Sequence, residues 1–286
     1  NLPFDVGAFS EAGHRLLEEV ESEFGWMYET RHIDGVTKGR IGYTVWSEIF
    51  ACPECSIEIN YLKEALDENT KKLKWSFPCP NCQSELSKDK LERIYETKFD
   101  PVLGFTIRTP KRRPSLIRYL VKNKRYNKIP DSNDLDILNR IEELTIPNEV
   151  PASLIPYMHM THERARMDKS GVTHIHHFLF PRTAHVIAAL WHKASDHSDP
   201  RIQMGLKSWL DSHFTNLSIQ NRYRPEVSFP YNPLTGVYYI PSLISEASPF
   251  IAYENKMHRI EDAFKQYHAS SGNTFIATSH AARLFL

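Results

Sequence analysis

The sequence lacks any long hydrophobic run. No stretch of its 286 residues approaches the roughly 18 consecutive apolar residues of a membrane span. The start, N-L-P-F-D, has no basic segment followed by an apolar core, so it does not resemble a secretory signal. With 41% hydrophobic and 24% charged residues, the composition is typical of globular proteins. These features predict a cytoplasmic protein.

The sequence also has little glycine. It contains 11 glycines and none of the motifs G-x-G-x-x-G, G-x-x-x-x-G-K-[ST] or G-x-S-x-G. Their absence argues against a dinucleotide site, a P-loop or a hydrolase nucleophile within this chain.

Cysteine is scarce and confined to one place. The four cysteines form two C-P-x-C pairs, Cys52 with Cys55 and Cys79 with Cys82, separated by 23 residues. Such pairs present two thiolates to one tetrahedral zinc ion, and four Cys ligands leave no open position for catalysis. Two disulfides or four free thiols are the alternatives, but disulfides are rare in the cytosol. We therefore predict a structural zinc held by all four cysteines.

The spacer between the two pairs suggests a zinc ribbon over residues 48–99. Residues 58–62 and 73–77 have strand-like composition, and the turn-rich residues 67–70 would join them as a hairpin. Many ribbon knuckles carry glycine after the second cysteine, whereas here Ser56 and Gln83 occupy those positions.

Residues 101–130 contain nine basic residues and no acidic one, although the whole chain has 35 of each sign. Alternation around Ile117, Tyr119 and Val121 predicts an extended hairpin that turns at 122–124. Lysine and arginine clusters bind phosphates, and Phe105, Tyr119 and Tyr126 could stack on bases. The alternative is a solvated face balanced by acids elsewhere in the fold. We predict nucleic-acid contact by Arg108, Lys111, Arg112, Arg113, Arg118, Lys122, Lys124, Arg125 and Lys128.

Two histidine groups raise a further alternative, a His-dependent metallohydrolase. These groups are His159 with His162 and Glu163, and the run His174, His176 and His177. Neither group matches H-E-x-x-H, and the sequence identifies no third ligand. Structural histidines are the favoured interpretation.

Helices and strands are both indicated, which predicts an α+β fold. Apolar spacing of three and four predicts helices at 8–24, 132–144, 183–194, 199–210 and 249–267. Alternation predicts strands at 41–46, 173–178, 237–240 and 273–278. A proline-rich connector at 147–156 is the best domain boundary.

Several sequence blocks resemble the zinc-ribbon-containing DNA methyltransferases, described as adenine-specific DNA methylases with a Zn-ribbon module. The similar blocks occur in the same order along nearly the whole chain. They are G-W-M-Y-E-T at 25–30, Y-T-V-W-S at 43–47 before the first C-P-x-C, G-V-T-H-I-H-H-F at 171–178 with Arg182, R-Y-R-P at 222–225, Y-I-P-S-L at 239–243, P-F at 249–250 and E-N-K at 254–256.

The resemblance implies S-adenosylmethionine-dependent methylation of a DNA base amine by a Rossmann-like enzyme, with adenine N6 as the expected target. The family's cofactor loop, D-P-F-x-G-x-G, and catalytic loop, D-P-P-[YF], are both missing here. In family order they would precede Asn1 and follow Leu286. The chain is thus expected to be an internal fragment that is inactive alone, contributes no catalytic residue, and has DNA and the remaining enzyme as partners. The runner-up is a non-enzymatic zinc-ribbon nucleic-acid-binding module.

The expected organisation has four parts. Residues 1–47 would supply a helix and strand of the methyltransferase core, and residues 48–99 the zinc ribbon. Residues 100–146 would form the basic hairpin and a helix that bind DNA. Residues 147–286 would form a mixed α/β region of the Rossmann-like fold.

Overall fold

One long strand, β2 (Lys38–Ala51), organises the sheet. The computed structural model describes residues 5–159, 167–227 and 239–270, with only the backbone of 168 and 267–270. One edge of β2 pairs with β1 (Glu29–Arg31), β11 (Leu243–Ala247) and β3 (Glu58–Asn60). The other edge pairs with β9 (Arg112–Val121) and β6 (Glu92–Arg93), and β10 (Lys124–Lys128) extends β9. Because β2 changes partners along its length, it joins the ribbon to the rest of the molecule.

Two separate hairpins accompany this seven-stranded sheet. They are β4 (Ser76–Pro78) with β5 (Glu85–Ser87), and β7 (Tyr95–Asp100) with β8 (Phe105–Pro110). Every strand pairing within the described residues is antiparallel. The mixed α/β architecture with a curled sheet agrees with the predicted combination of helices and strands. The Rossmann-like part is not confirmed, because Rossmann-like sheets are mostly parallel.

Helices pack against the sheet. The longer ones are α1 (Val6–Phe24), α3 (Ser132–Glu142), α5 (Pro181–Ser195), α6 (Pro200–Asp211) and α8 (Pro249–Ser270). Shorter ones are α2 (Tyr61–Ala65), α4 (Met167–Ser170) and α7 (Phe214–Leu217). The predicted apolar stripes are largely the buried faces: Leu16, Leu17 and Val20 of α1, Ile202, Leu206, Trp209 and Leu210 of α6, and Phe250, Tyr253 and Met257 of α8.

The largest hydrophobic cluster draws residues from three of the four predicted parts. It contains Val20 of α1, Tyr119 of β9, Leu190 of α5, and both Phe250 and Tyr253 of α8. Residues on both sides of the 147–156 connector therefore pack in one core.

Some local predictions differ from the structure. Asp5, and not Ser10, caps α1 by accepting the Ala8 N–H. The predicted strand at 173–178 is instead a 3-10 helix at Ile175–Phe178. There the His177 ring accepts the Thr173 backbone N–H, which closes a turn that an extended strand cannot make.

Other predictions lie beyond the described residues. The strand at 273–278 lies wholly outside them, as does Tyr267's side chain, while Tyr239 and Ile240 are described but form no strand. Within the described ranges, no helix is long and apolar enough to cross a membrane.

Candidate zinc site and nucleic-acid surface

The first pair of cysteines lies in the turn between β2 and β3. The Cys52 N–H donates to the Ile57 carbonyl at 3.0 Å, and the Ser56 N–H donates to the Cys52 carbonyl at 2.9 Å. Ser56 has a φ of 59°, the left-handed conformation that glycine adopts most easily. The turn therefore forms although serine replaces the usual glycine.

The second pair repeats this geometry between β4 and β5. The Cys79 N–H donates to the Ser84 carbonyl at 2.9 Å, and the Gln83 N–H donates to the Cys79 carbonyl at 3.1 Å. Gln83 has a φ of 62°. Two equivalent turns thus present two thiols each.

The four thiols converge on one point. The Cys52 and Cys82 sulfurs are 3.8 Å apart, and the Cys55 and Cys79 sulfurs are 3.7 Å apart. Four sulfurs bound tetrahedrally at about 2.3 Å from one zinc ion would be about 3.8 Å from one another. All four cysteines are free, and the cluster could hold a metal ion. These two sulfur–sulfur distances match those of a tetrahedral zinc site.

Ser84 lies beside the exposed thiol of the cluster. Hydrogen bonds from its hydroxyl and backbone N–H lower the pKa of Cys82 to about 6. A lowered thiol pKa favours the thiolate, which is the form that binds metal.

The spacer folds differently from the predicted hairpin. Glu58–Asn60 and Ser76–Pro78 are strands, but residues 61–65 form helix α2, which Asn60 caps by accepting the Lys63 N–H. β3 pairs with β2, and β4 pairs with β5, so the two strands of the spacer do not pair with each other. A single bridge between Leu66 and Leu73 and the turn capped by Asp67 are what remain of the predicted hairpin.

The nine predicted basic residues divide into two groups. Four are paired with acids: Lys111 with Glu58, Arg112 with Glu48, Arg113 with Glu96, and Lys128 with Asp131 and Asp134. The side chains of Arg112 and Lys128 are 13% and 9% exposed, so these two stabilise the fold. For these four, the balanced-charge alternative describes the structure.

The other five are Arg108, Arg118, Lys122, Lys124 and Arg125. Among the residues that the structure describes, none has an acidic group within ion-pair distance. Arg108 stacks its guanidinium over the Tyr95 ring at 4.0 Å. The remaining four belong to the β9–β10 hairpin, which we call the cationic hairpin.

The predicted turn of the cationic hairpin is confirmed. Val121 pairs with Lys124, and both intervening residues, Lys122 and Asn123, have positive φ of 47° and 65°. A two-residue loop of this kind is a type I′ turn, which favours asparagine and glycine. A lysine in the first position is unusual there, and Lys122 is exposed.

The aromatic residues expected to stack on bases are not equivalent. Tyr119 is fully buried in the core, and its hydroxyl bonds the His32 ring at 2.8 Å, so it cannot contact a base. Tyr126 stacks on Tyr119, whereas Phe105 is 52% exposed.

The structure places an acidic residue, Asp100, beside two histidines of the run at 174–177. The sequence alone did not indicate this contact. The Asp100 carboxylate lies 2.9 Å from the His176 Nε2 atom and 2.8 Å from that of His177, beside a cavity of about 240 Å³. The potential ligand atoms of these three residues lie within 4.8 Å of one another, close enough to hold a metal ion. However, the His177 Nδ1 atom accepts the Thr173 N–H, so its Nε2 atom carries the proton and donates to Asp100. This tautomer cannot bind a metal through Nε2, which favours a structural role.

The other histidine groups are less defined. His162 and Glu163 lie outside the described residues. His14 and His258 contact Glu261 between α1 and α8, where Ser10 also bonds the same carboxylate.

Comparisons with known proteins identify no family: no family model, no curated protein and no solved structure matches the chain significantly.

Proposed function

We propose that this chain is the DNA-binding middle region of an S-adenosylmethionine-dependent DNA base methyltransferase, stabilised by a structural zinc. The observation that carries the DNA-binding part is the cationic hairpin, where four basic residues lack acidic partners among the described residues. The methyltransferase part depends on the ordered sequence blocks that resemble that family.

Zinc has a structural task in this proposal. Cys52, Cys55, Cys79 and Cys82 would hold it, and a closed four-thiolate site offers no position for substrate. The ribbon is joined to the cationic hairpin through β2, which pairs with β3 beside the knuckle and with β9 further along. Metal binding would thereby hold β2 in place, and β2 is the strand with which the cationic hairpin pairs.

The cationic hairpin suits the phosphate backbone. Arg118 and Arg125 lie on the face opposite Tyr119 and Tyr126, because Arg125 pairs with Leu120 and Tyr126 with Tyr119. Lys122 and Lys124 extend the charge to the turn. A cation without an internal partner loses no ion pair when it binds a phosphate. Each of the four paired basic residues would have to give up its ion pair to do so.

The test is the double charge reversal Lys122→Glu/Lys124→Glu. We expect the zinc-loaded variant to bind duplex DNA at least about tenfold more weakly. The slope of log affinity against log salt should fall in magnitude by roughly 2, because each lost phosphate contact removes about 0.9. Fluorescence anisotropy over a salt series measures both.

The matched control is Arg15→Glu/Lys207→Glu, which makes the same charge change on α1 and α6. It should alter DNA affinity less than the hairpin variant does. Equal affinity and equal salt slope for wild-type and hairpin-variant proteins would contradict the DNA-binding proposal.

The neighbouring coding sequence separates the leading proposal from a non-enzymatic zinc-ribbon module. The methyltransferase proposal requires D-P-F-x-G-x-G upstream and D-P-P-[YF] downstream. We assign no step of methyl transfer to residues of this chain, since it has neither motif. If the neighbouring coding sequence lacks both loops, the methyltransferase proposal is wrong and the non-enzymatic DNA-binding module is the remaining proposal.

A further inference from the structure

A cavity of about 160 Å³ lies between the cationic hairpin and helix α8. Arg118 and Arg125 reach it from the hairpin, and Arg259 reaches it from α8. None of these arginines has an acidic partner within ion-pair distance among the described residues. The Arg118 guanidinium lies 6.0 Å from the Tyr43 ring centroid, and Arg259 donates to the Asn255 carbonyl. Three cations thus line one small cavity.

The rest of the lining combines an apolar surface with polar side chains. Leu120, Ala247, Ile251 and Ala252 supply the apolar part, beside the Tyr43 ring. A cavity of about 150 Å³ accepts one benzene ring, so a cavity of this size has room for one small ring. Arginine binds phosphate through paired N–H donors.

Two buried polar atoms of the cavity residues have no hydrogen-bond partner among the residues that the structure describes. They are the Nδ1 atom of His213, which is 6% exposed as a residue, and the hydroxyl of Ser248, which is 1% exposed. Such groups cost free energy unless something satisfies them. Burial, with Lys256 and Arg259 nearby, lowers the pKa of His213 to about 4, so the ring is neutral near pH 7.

We propose that a single nucleotide binds here, with its ring inside the cavity on the apolar lining and its phosphate on Arg118, Arg125 and Arg259, of which Arg125 and Arg259 are exposed. His213 and Ser248 offer hydrogen bonds to the polar edge of the ring or to the sugar. The nucleotide can come from a DNA strand or from a free mononucleotide. The inference deepens the proposed function, because Arg118 and Arg125 also belong to the cationic hairpin, but Arg259, His213 and Ser248 do not.

Titration calorimetry on the zinc-loaded protein tests the proposal with three probes: thymidine 5′-monophosphate, inorganic phosphate and a short single-stranded oligothymidylate. Arg259→Gln removes one cation, and Ala252→Leu fills the cavity. We expect each variant to weaken binding of the nucleotide-containing probes about tenfold or more, since a hydrogen bond to a charged group contributes at that scale. Arg15→Gln makes the same charge change on α1 and should bind like wild type.

The outcomes are distinct. Binding of the mononucleotide supports a free ligand, and binding of the oligothymidylate alone supports a nucleotide within a strand. Binding of inorganic phosphate as tightly as the mononucleotide, or no loss in either cavity variant, would overturn the proposal. Because Arg259 is exposed on α8, Arg259→Gln should fold even where Ala252→Leu does not.

The two proposals fail separately. Lys122→Glu/Lys124→Glu should weaken duplex binding but leave mononucleotide binding close to wild type, because neither lysine lines the cavity. If this variant binds duplex DNA weakly but binds the mononucleotide normally, the inference stands. If it binds duplex DNA normally but loses mononucleotide binding, the inference is contradicted.

Discussion

Arg182 of α5 and Glu246 of β11 form a bidentate ion pair in the interior. The Arg182 Nε and Nη2 atoms donate to the two carboxylate oxygens at 2.8 and 2.5 Å, and the residues are 3% and 1% exposed. Thr44 accepts from the same guanidinium, and the Trp46 indole N–H donates to Glu246. The pair therefore ties helix α5 to the two strands β2 and β11.

Breaking this pair on one side should destabilise the protein strongly. We expect Glu246→Gln to lower the free energy of unfolding by about 3–5 kcal/mol, because it leaves Arg182 buried without its counter-charge. Urea unfolding of the zinc-loaded protein measures the change. The double variant Arg182→Met/Glu246→Leu should lie closer to wild type, since no lone charge remains. A loss below about 1 kcal/mol in Glu246→Gln would contradict the role assigned to the pair.

Each knuckle has one residue in the left-handed conformation, and at that position substitution by glycine and by valine should have opposite effects on zinc affinity. Ser56 has a φ of 59°, which β-branched residues tolerate poorly. We expect Ser56→Gly to keep or raise zinc affinity and Ser56→Val to lower it, as measured by chelator competition. Gln83→Gly and Gln83→Val should repeat the pattern at a φ of 62°. Equal affinities for the glycine and valine variants would show that the turn conformation does not limit metal binding.

Metal content should distinguish the ribbon from the histidine cluster. We expect one zinc per chain, lost in Cys52→Ser together with protection from hydrogen exchange across residues 50–85. Asp100→Asn should retain the zinc, because the His177 tautomer assigned here does not bind metal through Nε2. Atomic absorption measures the content. Two zinc ions in wild type and one in Asp100→Asn would instead establish a histidine site.

Stability should fall in two stages on acidification. Burial lowers the pKa of His213 from 6.5 to about 4, so between these values the unfolded chain binds the additional proton and stability falls as pH falls. The cost is of the order of 3 kcal/mol across that window. Burial alone would raise the pKa of Asp100, but hydrogen bonds from His177 and His176 outweigh it and lower the pKa from 3.8 to about 2. Its contribution is therefore present above pH 3.8 and lost below.

Unfolding titrations from about pH 7.5 to about pH 1 check this prediction, because this range extends roughly one unit beyond the highest and lowest of these pKa values. His213→Gln should lose less stability than wild type between pH 6.5 and 4. Burial lowers the pKa of His177 and His185 in the same direction, so some acid sensitivity should remain in that variant. An unchanged slope in His213→Gln would contradict the assignment.

Local sequence determined the features that depend on neighbours within a few residues. The two C-P-x-C pairs specified the thiol cluster, apolar spacing specified the buried faces of α6 and α8, and Asp131 with Asp134 capped α3. The turn at Lys122 and Asn123 was predictable for the same reason, because a two-residue loop between alternating segments has few conformations.

The tertiary structure decided which charges are available. Glu48, Glu58 and Glu96 neutralise part of the basic segment from strands 17 to 64 residues away along the chain. Asp100 reaches His176 across 76 residues, and the cavity joins Arg118 to Arg259. Such contacts depend on strand pairing and helix packing, which composition does not encode. The sequence therefore determined that the segment is basic, and only the fold determined which of its cations lack an acidic partner among the described residues.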